Sequence, residues 1–238
     1  MLTRRFSGKS SLLLLLLRFL EPSISSGPVR IDGIPLNQVQ PEILRRRAIA
    51  LPQTPFLLPK GSSVRENLNP FYRRREPTLV RNFPHLSEED EQYRNVLQAV
   101  GLWQLVADLG GLDAALDPNA LSKGEKQLLC LARGVLKARD RERNNGSAGG
   151  LLLLDEFTAS VDLETDKKMQ AIIAREFTQY TVVCVTHRLD TVSSYDRVVV
   201  MEAGRIVDVG PPSRLIGDTD FNWEDKKSGS ASGDLIEI

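Results

Sequence analysis

Four consecutive leucines, Leu151 to Leu154, run directly into Asp155 and Glu156. An unbroken apolar run entered from Gly149-Gly150 predicts a strand covered on both faces, as in a parallel sheet flanked by helices. It sets the two acids at the strand's carboxyl end, where open α/β sheets bind ligands. Other apolar runs extend the pattern. Ala48 to Leu51 predicts a strand that delivers Pro52-Gln53-Thr54-Pro55, and Thr181 to Thr186 predicts a β-branched strand ending at His187. Val29 to Gly33 reads as a short alternating strand with a glycine turn. Arg197 to Met201 and Arg205 to Val209 flank Glu202-Ala203-Gly204 as a hairpin.

Helical periodicity fills the intervals. Leu12 to Leu17 form a helix behind Gly8-Lys9-Ser10-Ser11, and Ser63 to Leu68 predicts a short capped helix. Ser87-Glu88-Glu89-Asp90 supplies a capping serine and acids in a first turn. Its apolar stripe, from Val96 and Leu97 through Val100 and Leu102 to Leu105 and Val106, runs to about residue 109. Leu121 to Glu125 opens a further helix carrying Leu128, Leu129, Leu131, Ala132 and Val135, and Glu164 to Phe177 is amphipathic. Residues 137–150, charged and then rich in Asn, Gly and Ser, read as an exposed loop. Strands alternating with helices predict an α/β fold, a mostly parallel sheet flanked by helices. The helices of about 61–139 form an inserted lobe within a domain over 1–216, and 217–238 is a flexible tail.

Composition narrows the function classes. A chain of 238 residues holds one sizeable α/β domain. Lys plus Arg and Asp plus Glu number 31 each, so no basic excess points to nucleic acid. Arg45 to Arg47 and Arg73 to Arg75 read as solvated faces or contacts with nearby acids. Cys130 and Cys184, both in apolar sequence, make neither a disulfide framework nor a metal site and fit a reducing environment. Arg4-Arg5 before Leu12 to Leu17 mimics a signal peptide. The unbroken run is only six residues, short for a signal and far too short to span a bilayer. No stretch reads as transmembrane, so a membrane role requires a partner.

Gly8-Lys9-Ser10 ahead of an apolar helix is the second half of a P-loop. Backbone N–H groups at a helix start hold an anion, the lysine adds a positive charge, and Ser10 offers a hydroxyl to Mg²⁺. The full motif wants glycine five positions before Gly8, where Thr3 stands. Phe6 occupies a position where a small residue would let backbone approach phosphate. Two explanations stand: a truncated or misread start, or loss of nucleotide binding. Asp155 can hold a Mg²⁺ shell and Glu156 can polarise a water. Singly, Gln53 reads as an ordinary loop glutamine, His187 as a core imidazole, His85 as a surface residue and Ser122 as an N-cap. Their order along the chain gives them joint meaning.

Taken in sequence, Gly8-Lys9-Ser10, Gln53, Leu121-Ser122-Lys123-Gly124-Glu125, Asp155-Glu156, Ser160-Val161-Asp162 and His187 resemble the ATP-binding cassette family. The resemblance covers nearly all of residues 7–216. It implies a P-loop NTPase with an inserted ABC-type α-helical subdomain, binding ATP and Mg²⁺. By position, Ser7, Gly8, Lys9, Ser10 and Ser11 would hold phosphate, and Ser10, Gln53 and Asp155 the metal. Glu156 and His187 would be catalytic. Ser122 and Gly124 match the signature loop, usually Leu-Ser-Gly-Gly-Gln, from which Lys123 and Glu125 depart. With Asp162 they would meet nucleotide across a head-to-tail dimer of cassettes. Lys126 to Arg133 and Ser160-Val161-Asp162 look like the second cassette of the C subfamily, the multidrug-resistance-associated type.

The implied function is ATP hydrolysis powering substrate export. The implied partners are a second cassette and transmembrane domains that hold the chain at the cytosolic face of a membrane. The alternative is a degenerate or truncated, non-catalytic cassette acting as a dimerisation or regulatory module. A soluble cassette ATPase of repair or translation would carry paired cassettes or coiled coils, which this sequence does not. The family stacks adenine on an aromatic ring in a strand upstream of the P-loop. Only seven residues precede Gly8, so the amino-terminal strands are expected to be missing.

Overall fold

Gly8 adopts the left-handed conformation at φ +83° and opens helix α1 (Lys9–Leu16), which buries Leu13 and Leu16. Strands β1 (Arg30–Ile31) and β2 (Ile34–Pro35) pair antiparallel across Asp32-Gly33. Both turn residues have positive φ, as a two-residue hairpin of the primed type requires. Helix α2 (Pro41–Arg47) starts on proline, whose missing N–H costs nothing there. Strand β3 (Ala48–Leu51) follows, then α3 (Val64–Leu68), closed by a capping box between Ser63 and Glu66. Helices α4 (Glu88–Val100) and α5 (Trp103–Asp108) precede the long α6 (Lys123–Asn145). Strand β4 (Gly150–Asp155), helix α7 (Leu163–Glu176) and strand β5 (Tyr180–Val185) come next. The antiparallel pair β6 (Val198–Glu202) and β7 (Arg205–Gly210) and a short α8 (Pro212–Leu215) complete the order.

The computed structural model describes residues 8–22, 27–70, 88–146, 149–186, 188, 192–202 and 204–215. Ser7, Arg73 to Arg75, His85, the capping role of Ser87, His187 and the 217–238 tail lie outside the described residues. The chain divides into two units, one of residues 1–48 and 184–238, the other of 49–183.

In the 49–183 unit the parallel sheet has the order β3-β4-β5. Leu152, Leu153 and Leu154 are each at most 1% exposed, so β4 is covered on both faces, as its unbroken apolar run predicts. On one side α6 lies close over β3, because Gly134 carries no side chain. A Cβ there would sit 3.3 Å from Leu51 and 3.4 Å from Ile49. Helices α3, α4 and α7 pack on α6, and α4 also meets α5 and α7. Arg65 of α3 is buried between Asp113 (2.9 Å) and Asp90 of α4, and stands over the Tyr93 ring at 5.5 Å. Burial alone would lower its pKa; hydrogen bonds to the two carboxylates outweigh that and raise it.

Two sequence expectations need correction. The stripe ending near residue 109 is two helices, because Gly101 turns the chain at φ +76° between α4 and α5. Residues 137–145, read as the start of an exposed loop, continue α6. Lys, Ala, Arg and Glu there are strong helix formers, Ala138 is buried, and Arg139 pairs with Glu176 at 2.7 Å. Gly146, left-handed at φ +59°, ends the helix. In the other unit, Arg45 donates to the Leu17 and Arg18 carbonyls at 3.0 Å each and stacks on Phe19, satisfying the carbonyl end of α1.

Candidate functional site

The carboxyl end of β4 delivers Asp155 and then Glu156, whose backbone has φ +45°. For a residue with a Cβ this left-handed geometry costs about 1–2 kcal/mol. Such outliers gather where a side chain must be aimed. Here the aim is visible: Gln53 Nε2 donates to Glu156 Oε2 at 3.0 Å. Gln53 follows β3 in a segment where Pro52 and Pro55 lack N–H groups and cannot join a ladder. Its carbonyl is held from another direction, accepting a 2.7 Å bond from Nε2 of Gln127 on α6. Two strand ends and one helix therefore converge on a single carboxylate.

A second cluster lies at the start of α6. Ser122 is the N-cap; its Oγ accepts from the Glu125 N–H at 3.2 Å, and the Glu125 carboxylate accepts from the Ser122 N–H at 2.7 Å. Glu125, a departure from the usual signature glutamine, thus closes a capping box. Gly124 faces the first turn of α7, where a Cβ would come within 3.3 Å of Thr165 Cγ2. Asp162 caps that turn, accepting from the Thr165 N–H at 2.9 Å and from its hydroxyl at 2.7 Å. The Thr165 N–H bond, with the hydroxyl, holds the Asp162 carboxyl below its ordinary pKa. Ser122, Gly124 and Asp162, far apart in sequence, are brought together at two neighbouring helix starts.

In the other unit, Gly8 supplies no side chain to cap α1. A left-handed residue leading into helical ones points successive N–H groups in one direction, the arrangement that binds anions. Gly8 is also tightly placed, since a Cβ would stand 3.0 Å from Gly204 Cα in the β6–β7 turn. Lys9, Ser10 and Ser11 occupy the first turn behind it. The sequence reading overlooked Gln127. Its signal was a glutamine in the apolar run Leu128 to Ala132, at a position that turns out only 2% exposed.

A model of the ABC transporter family matches residues 7–159. The chain belongs to the ABC transporter family. It is 46% identical over 219 residues to the ABC-type transporter braE of Annulohypoxylon truncatum, covering 90% of this chain and 14% of that protein. To ATP-binding cassette sub-family C member 10 of Mus musculus it is 37% identical over 214 residues, covering 89% and 12%. A bacterial Atm1-family ABC exporter solved with ATP bound shares the fold, with a TM-score of 0.67 at 24% identity. That match covers 88% of this chain and 32% of the other. The ABC transporter chain described here thus spans 12–14% of the length of these two curated relatives. It is an ATP-binding domain of the ABC type, and such domains are generally ATPases. Among the described residues, no helix is long and apolar enough to cross a membrane.

Within the 49–183 unit, Gln53 and Asp155 carry hard oxygens of the kind Mg²⁺ takes, and the Gln53 nitrogen is engaged with Glu156. Among the described residues no group of three or more His, Cys, Asp or Glu side chains could hold a metal.

Proposed function

We propose that this chain is the nucleotide-binding cassette of a membrane exporter, binding Mg-ATP and hydrolysing it to drive transport through transmembrane partners. The observation that supports this most directly is the Gln53–Glu156 bond at the carboxyl end of a doubly covered strand. In this reading the backbone at Gly8, with Lys9 and the hydroxyls of Ser7, Ser10 and Ser11, holds phosphate. Ser10, Gln53 and Asp155 would hold Mg²⁺, which would supply neutralisation of the negative charge on the nucleotide's phosphates. Glu156 orients and deprotonates the attacking water, Gln53 keeps its carboxylate aimed, and His187 assists at the γ-phosphate.

Ser122, Gly124 and Asp162 belong to the face that meets a second cassette head to tail. The 37% identity to a C-subfamily member supports a C-subfamily type, and the second-cassette, multidrug-resistance-associated role rests on the resemblance of Lys126 to Arg133 and Ser160-Val161-Asp162. As part of a transporter it acts at the cytosolic face of a membrane. Thr3 and Phe6 favour the other reading, a degenerate cassette that dimerises without holding nucleotide.

Titrating the chain with a fluorescent Mg-ATP analogue, beside a Thr3→Gly/Phe6→Gly variant, separates the two. Binding by the wild-type chain supports the proposal, binding by the variant alone supports the degenerate reading, and a folded chain that binds in neither form overturns the nucleotide site. Glu156→Gln is expected to lower turnover by about 10²-fold or more while leaving Mg-ATP affinity within about threefold. Unchanged turnover would remove Glu156 as the catalytic group.

A further inference from the structure

Gln127 is a buried polar residue on an apolar helix face, flanked by Leu128 and Leu129. Its Nε2 reaches the Gln53 carbonyl at 2.7 Å, while its Oε1 has no hydrogen-bond partner among the described residues. Rotating the amide would set oxygen against oxygen, so the donor assignment follows from the contact itself. Burying an amide with half its capacity unused opposes folding, and a leucine would pack there without that penalty. The side chain therefore contributes something packing does not. Farther along the same helix, Arg133 donates to the carbonyls of Phe56 and Asn67, and Asn67 Oδ1 in turn accepts from the Leu58 N–H at 2.9 Å. Helix α6 thus straps the 53–58 segment at both ends, and the proximal strap sits on the residue whose side chain holds Glu156.

We infer that Gln127 is a positioning residue of the hydrolytic site. It fixes the Gln53 backbone, so that the Gln53 amide orients Glu156, and links this pair to the helix that begins at Ser122. Gln127 lies five residues after Ser122, so a shift of the helix start reaches Glu156 through two hydrogen bonds. The inference rests on the reading of Gln53 and Glu156 as part of the nucleotide site.

Hydrogen exchange on the nucleotide-free chain provides the first test. Gln127→Leu, with its melting temperature retained, is expected to raise exchange across residues 53–58 about tenfold while α4 and α7 stay protected. Exchange unchanged in Gln127→Leu overturns the inference.

The second arm measures Mg-ATP affinity for Gln127→Leu, Gln53→Ala and the double variant. Losses that do not add support the coupling, and additive losses sink it. A wild-type chain that fails to bind Mg-ATP brings down the proposed function instead, and the exchange arm still decides the role of Gln127.

Discussion

Glu156 sits in a strained backbone geometry and Tyr93 in a dry one, and both show how single residues report on their surroundings. Burial, with the Glu89 carboxylate accepting from its hydroxyl at 3.0 Å, pushes the Tyr93 phenol up to about 12. The raised folded-state pKa means the native state holds a proton that the unfolded chain releases near pH 10. The stability from this linkage is fully present below pH 10 and is lost as pH rises to about 12. Tyr93→Phe is therefore expected to flatten the alkaline limb of a denaturation series by on the order of 2 kcal/mol. Parallel limbs in the two proteins would show the phenol is not responsible. Burial likewise pushes the Cys130 thiol up to about 11. A thiolate-selective reagent near about pH 8 is expected to spare Cys130 until the chain unfolds. At this scale the sequence exposed the acids and Gln53, because they end apolar runs. It concealed Gln127, whose partner is a backbone carbonyl 74 positions away, a distance no local pattern encodes.

Among the elements, β4 was the most legible, since a short apolar run entered from Gly149-Gly150 favours a doubly covered strand over a buried helix segment. Helix α6 was legible at its start and misread at its end. The Ser122–Glu125 spacing states a capping box outright, whereas the charged segment after Leu136 resembles a loop unless its partners on α7 and β5 are known. Arg139 bonds Glu176, and Arg141 donates to the Tyr180 hydroxyl at 3.1 Å. Those tertiary bonds fix the last turns of a segment whose composition alone allows either state. The return to β4 then depends on Gly149, at φ +109°, where a Cβ would stand 2.6 Å from the Gln179 carbonyl oxygen. Backbone cannot yield there as a side-chain tip can. Gly149→Ala is expected to cost clearly more in chemical denaturation than Gly111→Ala, which carries the about 1–2 kcal/mol of a left-handed Cβ but meets no neighbour. Since Gly111 is also left-handed at φ +99°, equal costs would assign the effect to backbone conformation alone and remove the carbonyl clash.

For the molecule as a whole, the division at residues 48 and 184 separates two kinds of construction. Residues 49–183 form one continuous stretch with its own core, from the covered β4 strand to Leu131, Met169 and Val100, and with its own buried ion cluster at Arg65. The remaining unit joins the chain's two ends, and its strands β6 and β7 expose Val199, Val207 and Val209. A continuous segment that buries its own apolar faces can fold without the rest. Residues 49–183 expressed alone are therefore expected to unfold cooperatively and to retain the slow exchange of the 53–58 segment. They lack Gly8, Lys9 and Ser10, so they are expected not to bind Mg-ATP at concentrations that saturate a competent cassette. A broad, non-cooperative transition would show that the core of this stretch depends on the chain ends. Tight Mg-ATP binding by the isolated stretch would remove the α1 start from the phosphate role and leave Asp155 and Gln53 to account for the affinity.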